Sequence, residues 1–256
     1  MPDIPRPQVP AADQTLRILA LLARQPGPMA AQTIASALAI PRSSTYHLLA
    51  TLEQHGFVVH LPGDRRWGLG TAAFELGGGY ARQQPLARLG RPLLAALSDR
   101  VGESAHLAVL AGRDVLYIVE ERAPRRPALV TDVGVRLPAH LTATGRAMLA
   151  ALPREQVRAL FPDATALTQR HGSGPATPRA LREVLRLVRA DGFASENGEV
   201  TPGFRSVAAA VLDHTGWPAA AVALTWPDDV ERDAGLLASA ATSAAHELAR
   251  RLGRPA

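Results

Sequence analysis

The chain has 256 residues, a net charge of +5 at pH 7 and no cysteine. This length allows one large domain or two of modest size. The lack of cysteine excludes a disulfide framework, thiolate chemistry and cysteine-based zinc sites. No apolar run approaches the roughly 18 residues that a membrane-spanning helix needs, and the N-terminus has no apolar signal core. We therefore expect a cytoplasmic protein that does not engage a membrane.

The first predicted elements occupy residues 1–38. Residues 1–11 are rich in proline and are expected to form a disordered tail. Asp13 can cap a helix over Gln14–Arg24, which the segment Pro26-Gly27-Pro28 ends. A second helix is predicted over Ala31–Leu38, because its apolar residues recur at helical spacing.

A third helix, over residues 42–55, carries the main functional signal of the first half. Its buried face is predicted at four positions of helical spacing: Thr45, Leu48, Leu49 and Leu52. Ser44 and His47 fall on the opposite face, with Arg42 and Ser43 at the N-terminal end. A short polar face of this kind can enter a major groove N-terminus first, where it reaches phosphates and base edges.

Two short strands follow Gly56, at residues 57–60 and 65–69, and are predicted to form a hairpin. Arg65 and Arg66 lie near its tip, so residues 12–70 are predicted to form a winged helix-turn-helix. Seven residues are predicted to contact DNA: Arg42, Ser43, Ser44, Tyr46, His47, Arg65 and Arg66. The alternative is a helical hairpin that contacts another protein and has no DNA function.

Positive charge in this first half is local. All 28 basic residues of the chain are arginine, and the first 80 residues hold six arginines against five acidic residues. The charge that can meet phosphates is concentrated at Arg42 and at Arg65-Arg66. We therefore expect DNA binding with a moderate rather than a steep dependence on salt.

The segments Ala35–Leu52, Gly56–Val58 and Trp67–Gly70 resemble the N-terminal domain of IclR-family transcriptional regulators. Ala39 stands where that family often has glycine in the turn, and His47 stands where arginine is common on the recognition helix. These departures bear on the turn geometry and the operator sequence rather than on the mode of binding.

Residues 71–85 are predicted to form a linker helix whose end is weakened by Gly77-Gly78-Gly79. The glycine run does not fit a phosphate-binding loop, because no lysine follows it. In the resembling family this segment joins the two domains and helps to form the dimer.

The second half is predicted to alternate helices and strands. Helices are expected at residues 89–101, 144–152, 154–161, 178–191 and 231–252. Strands are expected at residues 104–110, 114–120, 128–132, 193–195, 207–212 and 219–225. Helices that bracket several strands indicate an α+β sensor-like domain.

This half resembles the effector-binding domain of the IclR family, which has a GAF-like fold. The resembling positions are Gly102–Ala108, Leu137–Ala147, Asp191–Ala194, Glu199, Pro202-Gly203 and Val207–Val211. The resemblance implies that residues 86–256 bind a small organic acid and form a homodimer or a dimer of dimers. Carried over by position, the effector-binding residues are Leu137, Ala143, Thr144, Gly145, Glu196, Ser206, Ala223 and Thr225.

Elementary chemistry supports part of this assignment. A helix that begins near Thr144 offers free N–H groups to an anion. Thr144, Ser206 and Thr225 add hydroxyl donors. Plain core packing is the alternative role for each of these residues.

An enzyme with a GAF-like fold is a further alternative. The histidines at 106, 140, 171, 214 and 246 lack metal-ligand spacing, and Glu120 and Glu121 are adjacent, so on a strand they point to opposite faces. No nucleophile and base are recognisable together. We therefore expect no catalytic residue, no metal site and no cofactor.

These observations predict a two-domain α/β protein, with a winged helix-turn-helix followed by an α+β GAF-like domain. The predicted function is a transcriptional repressor or activator that binds double-stranded DNA at a pseudo-palindromic operator. A small organic acid would modulate that binding.

Overall fold

The structure is a computed structural model that describes residues 9–25, 27–61, 63–76, 85–124 and 131–253. The chain divides into two units, Met1–Gln83 and Gln84–Ala256. None of the helices in the described ranges has the length and apolarity that a bilayer crossing requires.

The first unit is a small helical domain with a three-stranded sheet. Its elements are α1 (Pro10–Ala23), β1 (Met29–Ala30), α2 (Ala31–Leu38), α3 (Arg42–Gln54), β2 (Val58–Leu61) and β3 (Arg66–Leu69). Helical backbone over residues 71–76, α4, follows. The strands are antiparallel in the order β1-β3-β2. The predicted helix-turn-helix and hairpin are therefore confirmed.

A single apolar cluster holds this unit together. Ile18 of α1, Ile34 of α2 and Leu49 of α3 are fully buried in it. Val58 and Trp67 contribute from the hairpin. The helical spacing of these apolar residues puts one stripe of each helix into the core, which fixes the outward face of α3.

Two expectations for the first unit were wrong. The first helix begins at Pro10 rather than Gln14, because proline at the first helical position lacks only an N–H that would have no partner there. Asp13 therefore lies within the first turn and does not cap the helix. The strand β1 was not predicted; it is two residues long and pairs Met29 with Trp67. Of the expected tail, residues 1–8 lie outside the described part, and residues 10 and 11 are helical.

The second unit is built on a six-stranded antiparallel sheet. Its helices are α5 (Pro85–Val101), α6 (Ala143–Ala151), α7 (Arg154–Leu160), α8 (Pro178–Asp191) and α9 (Ala234–Arg251), with a 3₁₀ turn at Ala164–Ala166. Its strands are β4 (Ser104–Ala111), β5 (Asp114–Glu121), β6 (Arg136–Pro138), β7 (Ala194–Asn197), β8 (Phe204–Leu212) and β9 (Pro218–Pro227). They lie in the order β6-β5-β4-β9-β8-β7.

The sheet is covered on both faces. Ala108 and Ala221 are paired and point into one apolar layer, whereas Leu107 and Val222 are paired and point into the other. Helices α6, α7 and α8 pack on the first layer, and α5 and α9 pack on the second. Burial on both faces explains why the strands read as nearly continuous apolar runs in the sequence.

Several element boundaries in the second unit differ from the predicted ones. Helix α5 begins four residues early and passes through Pro92, which is exposed, and α9 begins at Ala234, where Asp233 caps it. The edge strand that pairs with β5 is Arg136–Pro138. It replaces the strand expected at 128–132, of which residues 131 and 132 are not in a strand and the rest lie outside the described residues. Residues 77–84 of the expected linker, with the triple glycine, also lie outside them.

Candidate functional site

The N-terminal end of α3 and its side away from the core are open to solvent. Pro41 precedes the helix, no side chain caps its N–H groups, and its first turn carries no acidic residue. Arg42, Ser43 and His47 are exposed, and Ser44 is partly buried. The helix therefore presents free N–H groups, a cation and hydroxyls at its positive end.

The opposite side of α3 is anchored. Thr45 is fully buried, and its hydroxyl donates to the carbonyl oxygen of Pro41 over 3.2 Å. Leu49 and Leu52 fill the core beside it. Packing of this side settles which residues of the helix face outward.

The other predicted DNA contacts also lie on the surface. The Arg42 guanidinium carbon lies 5.9 Å from the centre of the Tyr46 ring, within reach of a cation–π contact. Arg65 and Arg66 are exposed at the hairpin turn, where Arg65 has a left-handed φ of 49°. Arg66 donates to the carbonyl oxygen of Pro28 over 3.4 Å. The surface of the first unit thus displays all seven predicted residues.

A narrow cavity lies in the second unit between the N-terminus of α6 and the sheet. The space open to the centre of a water molecule is about 20 Å³, which is room for one or two waters. Six of the eight predicted effector residues line it: Ala143, Thr144, Glu196, Ser206, Ala223 and Thr225.

A row of polar side chains crosses four strands beside this cavity. Glu196 is paired with Ser206, Ser206 with Thr225, and Thr225 with Ser104. The Ser206 hydroxyl donates to Glu196 Oε1 over 2.9 Å and lies 2.9 Å from the Thr225 hydroxyl oxygen. Since a hydroxyl has one proton to donate, Thr225 donates to Ser206. The three groups form one directed chain.

Glu196 has an unusual proton affinity. Burial raises its pKa from 4.5 to about 7, although the hydrogen bond from Ser206 acts in the opposite direction. The nearby Glu199 carboxylate raises the pKa of Glu196 further. For Glu199 itself, burial favours a higher pKa, but the charge and hydrogen bond of Arg146, together with hydrogen bonds to Asn197 N–H and Glu196, leave that pKa lowered. Near neutral pH, Glu196 is therefore part protonated beside a charged Glu199.

Arg146, a buried residue of α6, joins the elements that surround the cavity. Its guanidinium is buried and donates to the carbonyl oxygens of His140 and Ser195 over 2.9 and 2.7 Å. A third bond, of 2.9 Å, reaches Glu199 Oε1. These contacts tie α6 to β7 and pair the guanidinium with Glu199, which is not among the residues that line the cavity.

The N-terminus of α6 contributes directional donors to the cavity. The Thr142 hydroxyl caps the helix by accepting from Gly145 N–H over 2.9 Å. In the described part of the chain the N–H groups of Ala143 and Thr144 have no acceptor. The Thr144 hydroxyl lies 3.3 Å from that of Tyr117. The site thus offers two free amides and two hydroxyls to a polar ligand.

Two predicted effector residues are not in the cavity lining. Leu137 packs in the apolar layer under α6. Gly145 faces Ala139, whose carbonyl oxygen would lie only 2.1 Å from an added Cβ. This close approach of the backbone, rather than contact with a ligand, explains why glycine occupies position 145.

The lining also contains six residues that were not predicted from the sequence: Tyr117, Thr131, Thr142, Val200, Thr201 and Phe204. Only Thr142 carried a usable signal, as a capping residue three positions before Gly145. The others come from a strand or loops whose proximity depends on the sheet order.

His106 lies on the cavity side of the sheet, next to Tyr117 but outside the lining. Its ring is 5.8 Å from the Tyr117 ring, edge to face. Burial, together with the charge of Arg122, lowers the His106 pKa to about 4, so the ring is neutral. Among the described residues, neither nitrogen of the His106 ring has a hydrogen-bond partner. The described ranges also contain no group of three or more His, Cys, Asp or Glu side chains placed to bind a metal ion.

Two family models match successive segments of the chain. Residues 11–62 match the IclR helix-turn-helix domain. Residues 78–252 match the family described as bacterial transcriptional regulator IclR C-terminal.

Individual relatives agree with this. The HTH-type transcriptional regulator BhcR of Paracoccus denitrificans is 34% identical, over 94% of this chain and 85% of that protein. The transcriptional repressor IclR of Escherichia coli is 28% identical, over 86% of this chain and 81% of that one. Among solved structures, an IclR homolog from Microbacterium hydrocarbonoxydans complexed with 4-hydroxybenzoate has a TM-score of 0.79 at 20% identity. That match covers 94% of this chain and 98% of the homolog.

The two family models match successive segments of this chain, and the relatives are named as transcriptional regulators. The chain therefore belongs to the IclR family and is a DNA-binding transcriptional regulator, not an enzyme.

Proposed function

We propose that the protein reads its operator with the exposed side of α3. The observation that carries the proposal is the division of this helix into an anchored side, with Thr45 and Leu49, and a free side, with Ser44 and His47. Arg42 and Ser43 would hold the backbone at the helix N-terminus, where free N–H groups favour phosphate. Arg65 and Arg66 would contact backbone or minor groove from the hairpin, and Tyr46 would stack beside Arg42.

Electrophoretic mobility shifts on fragments selected from genomic DNA test this assignment. Arg42→Ala should weaken binding to all sites by about three- to tenfold, because a phosphate contact carries no sequence information. His47→Ala should change the order of preferred sites, since a base contact specifies sequence. Arg100→Ala, an exposed arginine at the end of α5, is the control and should bind as the unaltered protein does. Unchanged affinity and preference in both α3 variants would reject the proposal.

The cavity beneath α6 is proposed to bind a small organic acid that modulates DNA binding. The free N–H groups of Ala143 and Thr144 suit one carboxylate, and the hydroxyl oxygens of Ser206 and Thr225, whose protons are already donated, can accept from a polar group of the ligand. A solved homolog contains an aromatic acid, 4-hydroxybenzoate. Because the cavity is too narrow for such a molecule, binding requires its walls to separate. The acid would then bind one arrangement of the domain more tightly than another. Such a difference in affinity is required for a ligand to change DNA binding.

A screen of small mono- and dicarboxylates for release of bound DNA tests the effector proposal. Thr144→Val keeps the shape of the side chain and removes its hydroxyl, so it should weaken the response to the acid without altering DNA binding in its absence. Thr215→Val, at an exposed turn between β8 and β9, is the matched control. A collection of acids that changes neither DNA affinity nor the melting temperature would contradict the proposal.

Self-association is proposed on two grounds. Phe74 and Leu76 of α4 are large apolar side chains with 85% and 64% of their surface exposed. A homodimer, or a dimer of dimers, would cover such residues. It would also place two copies of α3 on successive turns of DNA, about 34 Å apart, at a pseudo-palindromic operator. Light scattering and footprinting test this: a monomer on a single unrepeated half-site would exclude it.

A further inference from the structure

A second concave site lies in the C-terminal unit, between α7 and α8. The groove has a volume of about 650 Å³, and none of its lining residues belongs to the cavity under α6. Buried apolar side chains such as Val157 and Leu181 form its floor. Its rim carries six arginines: Arg154, Arg158, Arg179, Arg182, Arg186 and Arg189.

The positive charge of this groove is largely uncompensated. Two glutamates share the rim, and each pairs with one arginine: Glu155 with Arg158 at 3.1 Å and Glu183 with Arg186 at 2.6 Å. The groove therefore keeps an excess of four positive charges.

The four remaining arginines line the groove without carboxylate partners among the described residues. Among the residues that the structure describes, Arg154, Arg179 and Arg182 form no ion pair or hydrogen bond, and Arg189 donates only to the carbonyl oxygen of Ala150 over 2.7 Å. Partial burial lowers the pKa of Arg189, and the like charge of Arg154 lowers it further. Arg154 and Arg189 therefore repel each other, and an anion that entered the groove beside them would relieve that repulsion.

We propose that this groove binds a small molecule that carries two or three linked phosphate groups. Guanidinium groups bind phosphate in a bidentate manner, and four free positive charges match the charge of a di- or triphosphate. The volume lies within the range of small-molecule sites, and the apolar floor can accept an organic body beside the phosphates. A DNA duplex is far too wide to enter such a groove. Nucleoside triphosphates and coenzyme A share this chemistry.

Isothermal titration of the full-length protein with inorganic tripolyphosphate, ATP and coenzyme A tests the proposal. The key variant is Arg154→Gln/Arg182→Gln, which removes two partnerless side chains and leaves every described contact in place. We expect saturable binding to the unaltered protein and at least a tenfold loss in this variant. Tighter binding of ATP or coenzyme A than of tripolyphosphate would identify which organic body the floor accepts, whereas equal binding would mean that the phosphates alone are recognised.

Two controls separate a site from a general charge effect. Arg88→Gln/Arg100→Gln on α5 removes the same charge from the other side of the sheet and should leave binding unaltered. Arg154→Lys/Arg182→Lys keeps the charge but loses the planar fork, so its affinity should fall between those of the glutamine variant and the unaltered protein. No saturable binding, or an equal loss in the α5 variant, would overturn the proposal. Loss of affinity for duplex DNA alone in the α7–α8 variant would also overturn it and assign the groove to nucleic acid.

Discussion

Ala39, in the turn between α2 and α3, has a left-handed backbone with φ of 53°. A residue with a Cβ pays roughly 1–2 kcal/mol in that conformation, whereas glycine adopts it freely. We therefore expect Ala39→Gly to stabilise the first unit by about 1 kcal/mol, even after the greater entropy that glycine has in the unfolded chain. Urea unfolding of the full chain measures this.

Ala37→Gly is the matched control for that substitution. Ala37 is exposed inside α2, where glycine costs about 1 kcal/mol relative to alanine. The same chemical change should thus have opposite signs at positions two residues apart. Destabilisation at both positions would show that the turn does not hold Ala39 in the left-handed region.

Glu196 gives stability an unusual pH dependence. Its folded pKa of about 7 lies above the ordinary 4.5, so the folded chain binds this proton more tightly than the unfolded chain does. The stability that follows is present below about pH 4.5 and is lost as the pH rises through 7. Between pH 5 and pH 8 the loss should be about 2 kcal/mol.

The comparison with Glu196→Gln isolates this effect. Burial lowers the pKa values of His106 and His140, so their contribution falls as the pH falls and opposes that of Glu196. Both histidines remain in the variant, and their contributions cancel when the two free energies of unfolding are subtracted. The free energy of unfolding of the unaltered protein minus that of Glu196→Gln should therefore decline from pH 5 to pH 8. A flat difference for Glu196→Gln would mean that Glu196 titrates normally.

At the scale of elements, Gly145 sets the position of the α6 N-terminus. An added Cβ would lie 2.1 Å from the carbonyl oxygen of Ala139, and backbone cannot move aside as a flexible side chain can. Gly145→Ala should therefore destabilise the second unit by about 2–3 kcal/mol and displace the free amides of Ala143 and Thr144. Thermal unfolding, and binding of whichever acid the effector screen identifies, measure the two consequences.

Gly235→Ala provides the comparison, because Gly235 also lies in the first turn of a helix, α9. There the nearest atom to an added Cβ is the Asp233 carboxylate oxygen, at 3.2 Å, which belongs to a side chain. We expect a change below about 1 kcal/mol, since alanine favours the helix and offsets the mild crowding. Equal costs at both glycines would contradict the close approach proposed for Gly145.

Elements with strong local patterns were predictable from the sequence. Helix α8 has apolar residues at helical spacing between Thr177 and Gly192, and both of its ends were placed correctly. Strands β1 and β6 were not predicted, because strands of two and three residues are too short to show an alternating pattern. They are defined by their pairing with β3 and β5. Helix α5 begins at Pro85 rather than at the predicted residue 89, and both ranges pass through Pro92, which is tolerated at an exposed position.

The two candidate sites also differ in how far the sequence alone could predict them. The α3 surface lies within 13 consecutive residues, so helical spacing alone separates its inner and outer sides. The polar row of Glu196, Ser206, Thr225 and Ser104 joins strands that are up to 121 positions apart in the chain, and only their pairing aligns it. Spacing along the sequence contains no such information, so the predictions at Glu196, Ser206 and Thr225 come from the family resemblance.

At the scale of the whole molecule, the distribution of charge decides how salt affects operator binding. The net charge is only +5, so a general attraction to DNA is weak, and the proposed contacts depend on Arg42, Arg65 and Arg66. Three arginines in each protomer of a dimer would neutralise about six phosphates, which gives log Kobs against log salt a slope of about −5. Arg42→Gln should reduce the slope by about 2, one unit for each protomer. Titrations of a labelled operator at several salt concentrations measure both values.

Arg100→Gln is the control for this slope, because the exposed Arg100 lies in the second unit and is not assigned to DNA. It should leave the slope unaltered although it removes the same charge. A slope near −10 that falls with Arg154→Gln/Arg182→Gln would mean that the arginine groove between α7 and α8 also contacts the operator. A slope that Arg42→Gln leaves unchanged would place the phosphate contacts elsewhere and remove the N-terminus of α3 from the DNA interface.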